Sequence, residues 1–541
     1  MVKDFTIETV EVDGFPIQTF RHRFKNVWEM FSHASRVYAG KEFLVEGANR
    51  LTFRETVKKV AQVAAYLGEK MGGQRKVPVG ILMENSITFV ITFLAIQQCG
   101  ATAVVFNNRL APPELKRQIQ ISDIKLLLSS PQFSAKAQES LPDSPAVNHI
   151  ILEPLEKTEA PGELLPAGAA GEDDPALILF TSGTVGNPKG VIITHRNLIT
   201  SAFKQGYYFS QHYDLQNDLQ TQESIKTVIA APLFHVLALQ EQLMAAIFLG
   251  FTCILVSSFK PQEILDLFTR ERINILAGTP TMYWMLLHKT AIRSAGLDCI
   301  KMIVYGGAPM PPDLLLELRQ TFPGMKCING YGLTEASVIS ILDDDFCELR
   351  PTSVGQPSLC SEVKVVDPSG KEMGPHGIGE LIVRGALVSK GYYKLPEETA
   401  EVYREGWFYT GDMAYRDPEG FIFLVGRTRE MINRGGENVY PVEVENILHL
   451  HPKVLDVAVF GLPDPVLGET VGCAVVLRPG IGELSLQEIQ EFCQSKLADY
   501  KIPQKIFLVP DLPRNPGGKV LKKILVEQTL SLLMKKGEEG R

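Results

Sequence analysis

Short apolar runs alternate with segments of helical length along much of the chain. Val77 to Met83 is typical of a buried strand, and Ile87 to Cys99 is apolar and long enough for a helix that would end at Gly100. Ala101 to Phe106 is strand-like again. This alternation predicts a layered α/β domain with a mostly parallel sheet. The same rhythm continues in the compact apolar runs at 176–180, 227–231, 253–256, 273–277 and 302–305.

The chain is too long, at 541 residues, for one hydrophobic core, so two or more domains are expected. From about 360 to 425 the pattern changes to short strands separated by Gly and Pro turns, which predicts a small β-subdomain. Further on, Val454–Gly461 and Val471–Leu477 are typical of strands. Ser485 is followed three residues later by Glu488, the spacing of a capping box at a helix start.

The segment 153–175 interrupts the alternation. It is rich in Pro, Gly, Ala and acidic residues and has no hydrophobic periodicity. Such a composition predicts an exposed connection that leads into the apolar run at 176–180.

Charge and composition exclude several classes of protein. The formal net charge of −8 argues against a broad nucleic-acid-binding surface, because phosphate binding needs concentrated positive charge. The eight cysteines are scattered without a CxxC pair, which favours reduced thiols over a disulfide framework or a zinc site. No apolar stretch approaches the roughly 18–20 residues of a membrane span. Neither end of the sequence resembles a signal peptide, a peroxisomal signal or a prenylation tail, so a cytoplasmic location is expected.

The residues after the run at 176–180 carry the strongest chemical signal. Small hydroxyl residues and glycines let backbone N–H groups approach phosphate oxygens closely, and a lysine adds positive charge. A Gly-rich turn without a ligand is the alternative, but small residues leading to a lysine between two strand-like runs favour phosphate binding. The segment is not a Walker P-loop, because Pro188 stands in place of the second glycine and Gly190 in place of Ser or Thr. The segment reads Thr181-Ser182-Gly183-Thr184-Val185-Gly186-Asn187-Pro188-Lys189-Gly190.

This segment resembles the phosphate loop of the adenylate-forming family, which includes acyl-CoA synthetases, luciferases and the adenylation domains of peptide synthetases. Val185 departs from the family pattern, which usually has Thr or Ser there, so one hydroxyl contact to the phosphates is expected to be missing. Further matches follow in the family's order, from about residue 25 to 525. The resemblance implies that the ATP phosphates are bound by Thr181, Ser182, Gly183, Thr184, Gly186 and Lys189.

Two later segments resemble the adenine and metal sites of the family. The first is Gly306-Gly307-Ala308-Pro309, which resembles the lining of the adenine pocket. The second is Asn329-Gly330-Tyr331-Gly332-Leu333-Thr334-Glu335, which resembles the family signature beside the α-phosphate. By this resemblance Asn329 contacts the adenine amino group and Tyr331 stacks on the base. Thr334 would bind the α-phosphate, and Glu335 would ligate Mg²⁺, a hard cation that prefers oxygen ligands.

Two charged residues resemble the ribose contacts of the family. Asp412 ends the segment Trp407-Phe408-Tyr409-Thr410-Gly411-Asp412, and Arg427 follows Gly426. The resemblance implies that Asp412 binds both ribose hydroxyls, which a carboxylate with two acceptor oxygens can do. Arg427 would make a second contact on the ribose side. On its own, Asp412 could equally be a turn residue after glycine.

The C-terminal part resembles the portion of the family that serves the second half of the reaction. Arg429 stands at the family's hinge position, where Asp or Lys is usual. Gly435, Gly436 and Glu437 lie in a loop that resembles the lining of the pantetheine tunnel in CoA ligases, where glycines leave the backbone open to the thiol arm. Lys519, in a Pro- and Gly-rich loop, resembles the catalytic lysine that would reach between the substrate carboxylate and the α-phosphate.

The acid substrate is less well defined by the sequence. His235 resembles the family's histidine near the acyl pocket, although a lone histidine among apolar residues is otherwise usually a core residue. Ala238 stands where the family usually has Gly, which predicts a tighter pocket. The surrounding positions are apolar and include no Arg or Lys, which favours a medium- or long-chain fatty, aromatic or alicyclic acid. These positions are Leu233, Val236, Leu237, Leu239, Met282 and Val338.

Together these matches imply an ATP-dependent carboxylic acid:CoA ligase. The expected architecture is an N-terminal domain, residues 1–427, of layered α/β subdomains plus a β-subdomain, and a small mobile α+β C-terminal domain, residues 428–541. The carboxylate would attack MgATP to give acyl-AMP and pyrophosphate, and coenzyme A would then displace AMP. The expected partners are a small carboxylic acid, ATP, Mg²⁺ and coenzyme A. A monomer or homodimer is expected, with no nucleic acid and no integral membrane association.

Two alternatives remain open at this point. One is a stand-alone adenylating enzyme that passes its acyl group to a carrier-protein thiol or to a monooxygenation step, which the lack of a fused carrier domain makes less favoured. The other is a catalytically silent acyl- or nucleotide-binding protein. The presence of Lys189, Glu335, Asp412 and Lys519 argues against it.

Overall fold

The computed structural model describes residues 4–141, 147–152, 170–181, 188–212, 224–295, 298–435, 437–514 and 520–538. Among these residues, the strands form two large sheets, two five-stranded sheets and an N-terminal hairpin of Ile7–Val12 and Phe15–Phe20. Helices pack on the faces of the large sheets. The predicted α/β class is confirmed.

One large sheet has six strands among the described residues. Four of its five pairings are parallel, and the fifth is an antiparallel edge pair. The strand order is Gly190–Thr194, Pro175–Phe180, Thr102–Val105, Pro78–Leu82, Leu126–Ser129 and Asn148–Ile151.

The second large sheet has nine strands within the described ranges. Its central pairings are parallel, whereas both edges are antiparallel. The strand order is Gln356–Pro357, Ser337–Leu342, Lys326–Leu333, Met302–Gly306, Ile275–Gly278, Lys226–Ile229, Thr252–Leu255, Glu42–Glu46 and Asn49–Thr52.

Helices between the two large sheets form the main core with them. Ile87–Gln98 is buried on every side, which explains why its sequence is apolar throughout rather than amphipathic. Phe53–Lys70 begins at a capping box in which Thr52 and Glu55 satisfy each other's backbone N–H groups. The other helices around this core are Val27–Val37, His195–His212 and Met244–Leu249, with a π-helix at Leu237–Leu243.

The outer faces of both sheets carry further helices and smaller cores. Helices Pro112–Ser122 and Ser134–Ser140 contribute to the core on the outer face of the six-stranded sheet. The corresponding helices of the nine-stranded sheet are Pro261–Glu271, Pro280–Lys289 and Pro312–Thr321. Two short helices are Asp344–Cys347 and Pro396–Val402, and short 3₁₀ turns occupy Pro131–Phe133 and Ile292–Ser294.

The predicted β-subdomain is a five-stranded antiparallel sheet in the described part of the chain. Its central strand is Trp407–Arg416, which pairs with Gly379–Gly385, Tyr403–Arg404 and Ile422–Arg427. Ser361–Val366 completes the sheet beyond Gly379–Gly385. A 3₁₀ turn, Thr428–Glu430, leaves this sheet and contains the predicted hinge position, Arg429.

The last described sheet is formed entirely after that turn and has its own cores. Its capping box at Ser485 and Glu488 is present as predicted, and it opens the helix Leu486–Gln494. The strands are Ile432–Arg434, Glu437–Val439, Val454–Asp464, Gly468–Leu477 and Lys505–Leu508. The other helices are Pro441–Leu448 and Lys522–Glu538, with a 3₁₀ turn at Asp499–Lys501.

The described end of the predicted exposed connection at 153–175 is only partly exposed. Gly171 is exposed and Glu172 to Pro175 are half-buried, whereas Ala170 is buried. Three acidic residues of this end pair with cations from other parts of the chain. Arg196 bonds to Glu172 and Asp173, and Lys76 bonds to Asp174. These ion pairs fix the start of the strand Pro175–Phe180, and residues 153–169 lie outside the described residues.

All eight cysteines are unpaired thiols, and all but Cys99 are buried. In the described ranges, no helix has both the length and the apolar character needed to cross a bilayer.

Candidate active site

The ends of the predicted phosphate loop are fixed by an antiparallel strand pair. Phe180 pairs with Gly190, and the Thr181 backbone N–H donates to the Lys189 carbonyl at 3.0 Å. The loop is therefore closed at its base, with Thr181 and Lys189 on either side. The predicted phosphate ligands Ser182, Gly183, Thr184 and Gly186 lie outside the described residues.

The adenine and metal segments lie at the carboxyl ends of two neighbouring parallel strands. Met302–Gly306 pairs with Lys326–Leu333, so that Gly306 lies beside Gly330. A Cβ on Gly306 would lie 2.4 Å from the Gly330 carbonyl oxygen, so only glycine permits this approach. Ligands of open α/β sheets bind at this end of the strands. Asn329, Tyr331 and Gly332 continue along the second strand, and Gly307, Ala308 and Pro309 follow the first.

Three of the predicted nucleotide residues are in direct contact. The Tyr331 hydroxyl donates to Asp412 Oδ2 at 2.5 Å, and Arg427 Nε lies 2.8 Å from Asp412 Oδ1. Asp412 and Arg427 face each other across adjacent strands of the β-subdomain. Tyr331 comes from the nine-stranded sheet, so this contact joins the two sheets. Burial raises the pKa of Tyr331 well above its ordinary value, and the Asp412 charge adds to the rise, so the phenol is protonated at neutral pH.

Glu335 lies beside this cluster and is held by a residue that the sequence did not indicate. The Tyr392 hydroxyl donates to Glu335 Oε1 at 2.9 Å, and the Ser389 backbone N–H donates to the Glu335 carbonyl at 2.7 Å. Burial raises the pKa of Glu335, whereas the Tyr392 hydroxyl and the positive charge of Arg427 lower it. Thr334 precedes Glu335 and is half-buried.

Tyr392 also connects Glu335 to the phosphate loop. The Lys189 Nζ lies 4.7 Å from the centroid of the Tyr392 ring, within the range of a cation–π contact. The backbone around Tyr392 pairs with the strand that leaves the loop, through Ile192 N to Gly391 O at 2.9 Å and Tyr393 N to Gly190 O at 2.7 Å. Tyr392 therefore contacts both the predicted metal ligand, Glu335, and the lysine predicted to bind the phosphates, Lys189. The sequence offered no signal for it, because its partners are remote in the chain.

A small apolar cavity of about 40 Å³ adjoins the strand ends. Its walls include Tyr208 and Phe209 of the helix His195–His212, Tyr305 and Gly330 of the strand ends, and Val338. Its apolar lining suits the apolar part of an organic ligand. Of the six apolar positions predicted near the acid, Leu237 and Val338 line this cavity. Leu233, Leu239 and Met282 are instead buried in the cores.

His235 begins the turn that leads into the π-helix Leu237–Leu243. Its Nε2 has no hydrogen-bond partner among the described residues. Burial lowers its pKa to about 4, with a smaller effect of the Arg109 charge, so the imidazole is neutral at pH 7. An unpaired polar atom in a buried side chain can bond to a ligand.

The C-terminal residues lie in the last sheet and its loops. Gly435 has φ of 64°, a conformation that favours glycine, and its N–H donates to the Leu467 carbonyl at 2.8 Å. Glu437 is exposed at the start of the next short strand. Gly436 and Lys519 lie outside the described residues.

The residues on either side of the lysine loop are well fixed. Arg514 and Val520 form an isolated β-bridge, and the Leu521 N–H donates to the Pro513 carbonyl at 2.7 Å. Arg514 also bonds to Asp456 at 2.5 Å. The loop that contains Lys519 is therefore closed at its base.

Lys522 connects the end of the lysine loop to the predicted hinge. Its Nζ lies 2.8 Å from Glu445 Oε1 and 3.2 Å from Glu430 Oε2, and Glu430 is the residue after Arg429. These ion pairs place the start of the C-terminal helix directly against the turn Thr428–Glu430.

Comparison with known proteins agrees with this geometry. The profile of AMP-binding enzymes matches residues 31–393, and that of the AMP-binding enzyme C-terminal domain matches residues 443–519. The chain belongs to the AMP-binding enzyme family. The predicted resemblance to its acyl-CoA synthetase branch is confirmed.

Relatives within the AMP-binding enzymes act on different acids. The chain is 36% identical over 480 residues to a feruloyl-CoA synthase of Amycolatopsis, covering 88% of this chain and 93% of that protein. It is 31% identical over 521 residues to a long-chain-fatty-acid–CoA ligase of Bacillus subtilis, covering 88% of this chain and 90% of that protein.

Solved structures of this family show the same fold. The o-succinylbenzoate CoA synthetase of Bacillus subtilis, in complex with its acyl-adenylate intermediate, is 30% identical with a TM-score of 0.79, covering 93% of this chain and 98% of that one. A structure of the same synthetase with ATP and a magnesium ion is also 30% identical, with a TM-score of 0.78, covering 91% and 98%.

Proposed function

We propose that this AMP-binding enzyme is an ATP-dependent ligase that joins a hydrophobic carboxylic acid to coenzyme A and forms AMP. The observation that carries the proposal is the cluster of Tyr331, Asp412, Arg427 and Glu335, together with an apolar cavity that is lined by Gly330, the residue before Tyr331. Polar groups suited to a nucleotide and an apolar lining suited to an acid thus meet on one strand. A cytoplasmic location, as expected from the sequence, is part of this proposal.

Different residues of the site bind the base, the ribose and the phosphates of ATP. Asn329 and Gly307 to Pro309 flank the base, Tyr331 stacks on it, and Asp412 and Arg427 bind the ribose. Tyr331 and Arg427 hold the two oxygens of Asp412 at 2.5 and 2.8 Å, which orients the carboxylate before the ribose arrives. Thr334, Lys189 and the phosphate loop bind the phosphates.

A carboxylate held by a tyrosine hydroxyl fits a magnesium ligand, because Mg²⁺ prefers one or two carboxylates together with phosphate oxygens. Glu335 would hold the ion. When bound, Mg²⁺ would neutralise charge on the phosphates, and Lys189 and Lys519 would supply further positive charge as the acid attacks the α-phosphate.

The second half-reaction involves the C-terminal unit, residues 428–541. We assign the boundary to the turn Thr428–Glu430, because the sheet beyond it has its own core. Rotation about Arg429 would withdraw Lys519 and present Gly435, Gly436 and Glu437 to the pantetheine arm. The thiol of coenzyme A would then displace AMP. Such closure steps allow one cleft to serve two reactions.

A panel of fatty, aromatic and alicyclic acids tests the proposed function. Pyrophosphate release should depend on the acid, and a thioester should form only when coenzyme A is present. Isotope exchange between pyrophosphate and ATP without thioester in the presence of coenzyme A would support transfer to a carrier-protein thiol instead. The absence of any pyrophosphate release across the panel would support the silent binding protein.

Glu335→Gln is predicted to raise the Mg²⁺ concentration needed for half-maximal adenylation. The amide keeps the shape of the side chain but removes the charge that a hard cation requires. Tyr392→Phe removes the hydroxyl that holds Glu335 and should shift the Mg²⁺ requirement in the same direction by about 10- to 100-fold, as for other groups that orient a metal ligand.

Calorimetric titration of ATP with and without Mg²⁺ measures this effect independently of turnover. Both variants should lose the Mg²⁺-dependent gain in ATP affinity. Tyr393→Phe, which removes a hydroxyl from the adjacent residue that packs against a different core, is the matched control and should behave like wild type. Unchanged Mg²⁺ dependence in Glu335→Gln would remove Glu335 from the metal site.

A further inference from the structure

A fully buried ion pair lies at the wall of the apolar cavity. The Lys204 Nζ is 3.1 Å from both carboxylate oxygens of Glu241, and their side chains are 0% and 4% exposed. Burying two charges is unfavourable unless their hydrogen bonds are satisfied. Here they are, because Lys204 also donates to the Val338 carbonyl at 3.0 Å, and Glu241 accepts from the Ser337 hydroxyl.

The two charges differ in their position relative to the cavity. Glu241 lines it, together with Gln205, whose amide donates to the Glu241 carboxylate. Lys204 does not line the cavity, although its ammonium is bonded to both oxygens of the same carboxylate. Of the two charged residues, a ligand in the cavity therefore contacts only Glu241.

The carboxylate of Glu241 is ionised at neutral pH. Burial raises its pKa, but the Lys204 ammonium and the Ser337 and Gln205 hydrogen bonds outweigh burial and hold the pKa below its ordinary value. The rest of the cavity wall is almost entirely apolar, with Tyr208 and Phe209 on one side and Val304 and Ile328 on another. Charges interact strongly in such surroundings because little water screens them.

We propose that Glu241 determines specificity for the acid by excluding substrates that carry a second negative charge in their tail. This inference rests on the proposed function, because it concerns the acid that the cavity binds. A second carboxylate would meet the Glu241 anion without water to separate them. A neutral tail, or one that ends in a hydroxyl donor, meets no such repulsion. Specificity commonly relies on such a repulsive element against the wrong ligand.

The test compares acids that differ only at the end of the tail. Cinnamate, 4-hydroxycinnamate and 4-carboxycinnamate form one series, and octanoate, 8-hydroxyoctanoate and octanedioate form the other. The measured quantity is the ratio of kcat/KM for the diacid to that for the monoacid. It is determined both by pyrophosphate–ATP exchange and by thioester formation.

Wild type should use each diacid at least about tenfold less efficiently than its monoacid, because like charges placed together are unfavourable. Glu241→Gln removes the anion and should raise the ratio by about tenfold or more. Burial already lowers the pKa of Lys204, so without Glu241 its buried ammonium is expected to lose its proton. The double variant Lys204→Met with Glu241→Gln therefore also has a neutral wall and should show a similar rise. The ratio does not change when a preparation simply contains less active enzyme.

Glu271→Gln is the matched control. Glu271 is another buried carboxylate, which is bonded to Arg50 and Lys226 and does not line the cavity. The ratio of kcat/KM values for the Glu271→Gln variant should therefore equal that of wild type. If Glu241→Gln does not fold, as a melting curve would show, the double variant retains the test because it leaves no unpaired charge.

The possible failures are distinguishable. A folded Glu241→Gln, or a folded double variant, with the wild-type ratio would overturn the role of Glu241 even if thioesters form normally. The predicted rise in the ratio in pyrophosphate–ATP exchange, without any thioester, would support Glu241 and overturn the proposed ligase.

Discussion

Lys519→Ala is expected to lower the rate of acyl-adenylate formation by about 10²–10³-fold or more, as removal of a group that stabilises developing charge typically does. The carboxylate and the α-phosphate carry like charges, and a cation between them lowers the barrier to their approach. The same variant should still convert supplied acyl-AMP and coenzyme A to thioester at close to the wild-type rate. Pyrophosphate–ATP exchange measures the first half-reaction, and thioester formation from synthetic acyl-AMP measures the second.

The contacts on either side of the lysine loop are expected to survive the Lys519→Ala substitution. The loop is closed at its base by the bridge between Arg514 and Val520 and by the Leu521 N–H to Pro513 carbonyl bond, neither of which involves the Lys519 side chain. Lys523→Ala removes an exposed lysine four residues further on and is the matched control. Equal losses in both half-reactions would contradict a role for Lys519 in adenylation alone.

Gly436→Leu is expected to impair the second half-reaction and to leave the first intact, the reverse of Lys519→Ala. A branched side chain would occupy the path proposed for the pantetheine arm, so thioester formation should fall by about 10²-fold or more, because displacing a reactant by even 1 Å can have that effect. Pyrophosphate–ATP exchange should stay near wild type, since adenylation does not use this loop. The neighbouring Gly435 shows how closely the backbone is constrained here, because a Cβ added to it would lie 3.0 Å from Leu467.

Gly482→Leu is the control for this substitution. Gly482 lies in an exposed loop of the same C-terminal unit, and a Cβ there would meet no atom within 4 Å. It should leave both half-reactions unchanged. A melting curve must show that Gly436→Leu is folded. If it is folded and still forms thioester normally, the tunnel is not at this loop.

The local elements of the fold were largely predictable from the sequence. The helix Ile87–Gln98 and the strand Thr102–Val105 follow from apolar runs of the right length, and the helix Leu486–Gln494 follows from its capping box. The described end of the segment at 153–175 is only partly exposed, because Arg196 and Lys76 from other parts of the fold pair with its acidic residues.

The parts of the candidate site that are formed by contiguous residues were predictable from the sequence. Asn329 to Glu335 and Gly306 to Pro309 resemble family segments, and the parallel pairing of their strands brings them together. Glu241 had a weaker signal. Between Pro232 and Phe259 it is the only residue with a formal charge, which marks it as unusual without revealing its partner.

The sequence alone determined the family, several of the strands and helices, and the residues expected to bind the nucleotide, because each of these depends on neighbouring residues. Only the tertiary structure decided that Tyr392 joins Glu335 to Lys189 and that Lys204 lies behind Glu241. Tyr392 and Glu335 are 57 positions apart in the chain, and Lys204 and Glu241 are 37 positions apart. Such pairs form only when packing between sheets and helices brings distant segments together, and burial then makes their charges and hydrogen bonds energetically important.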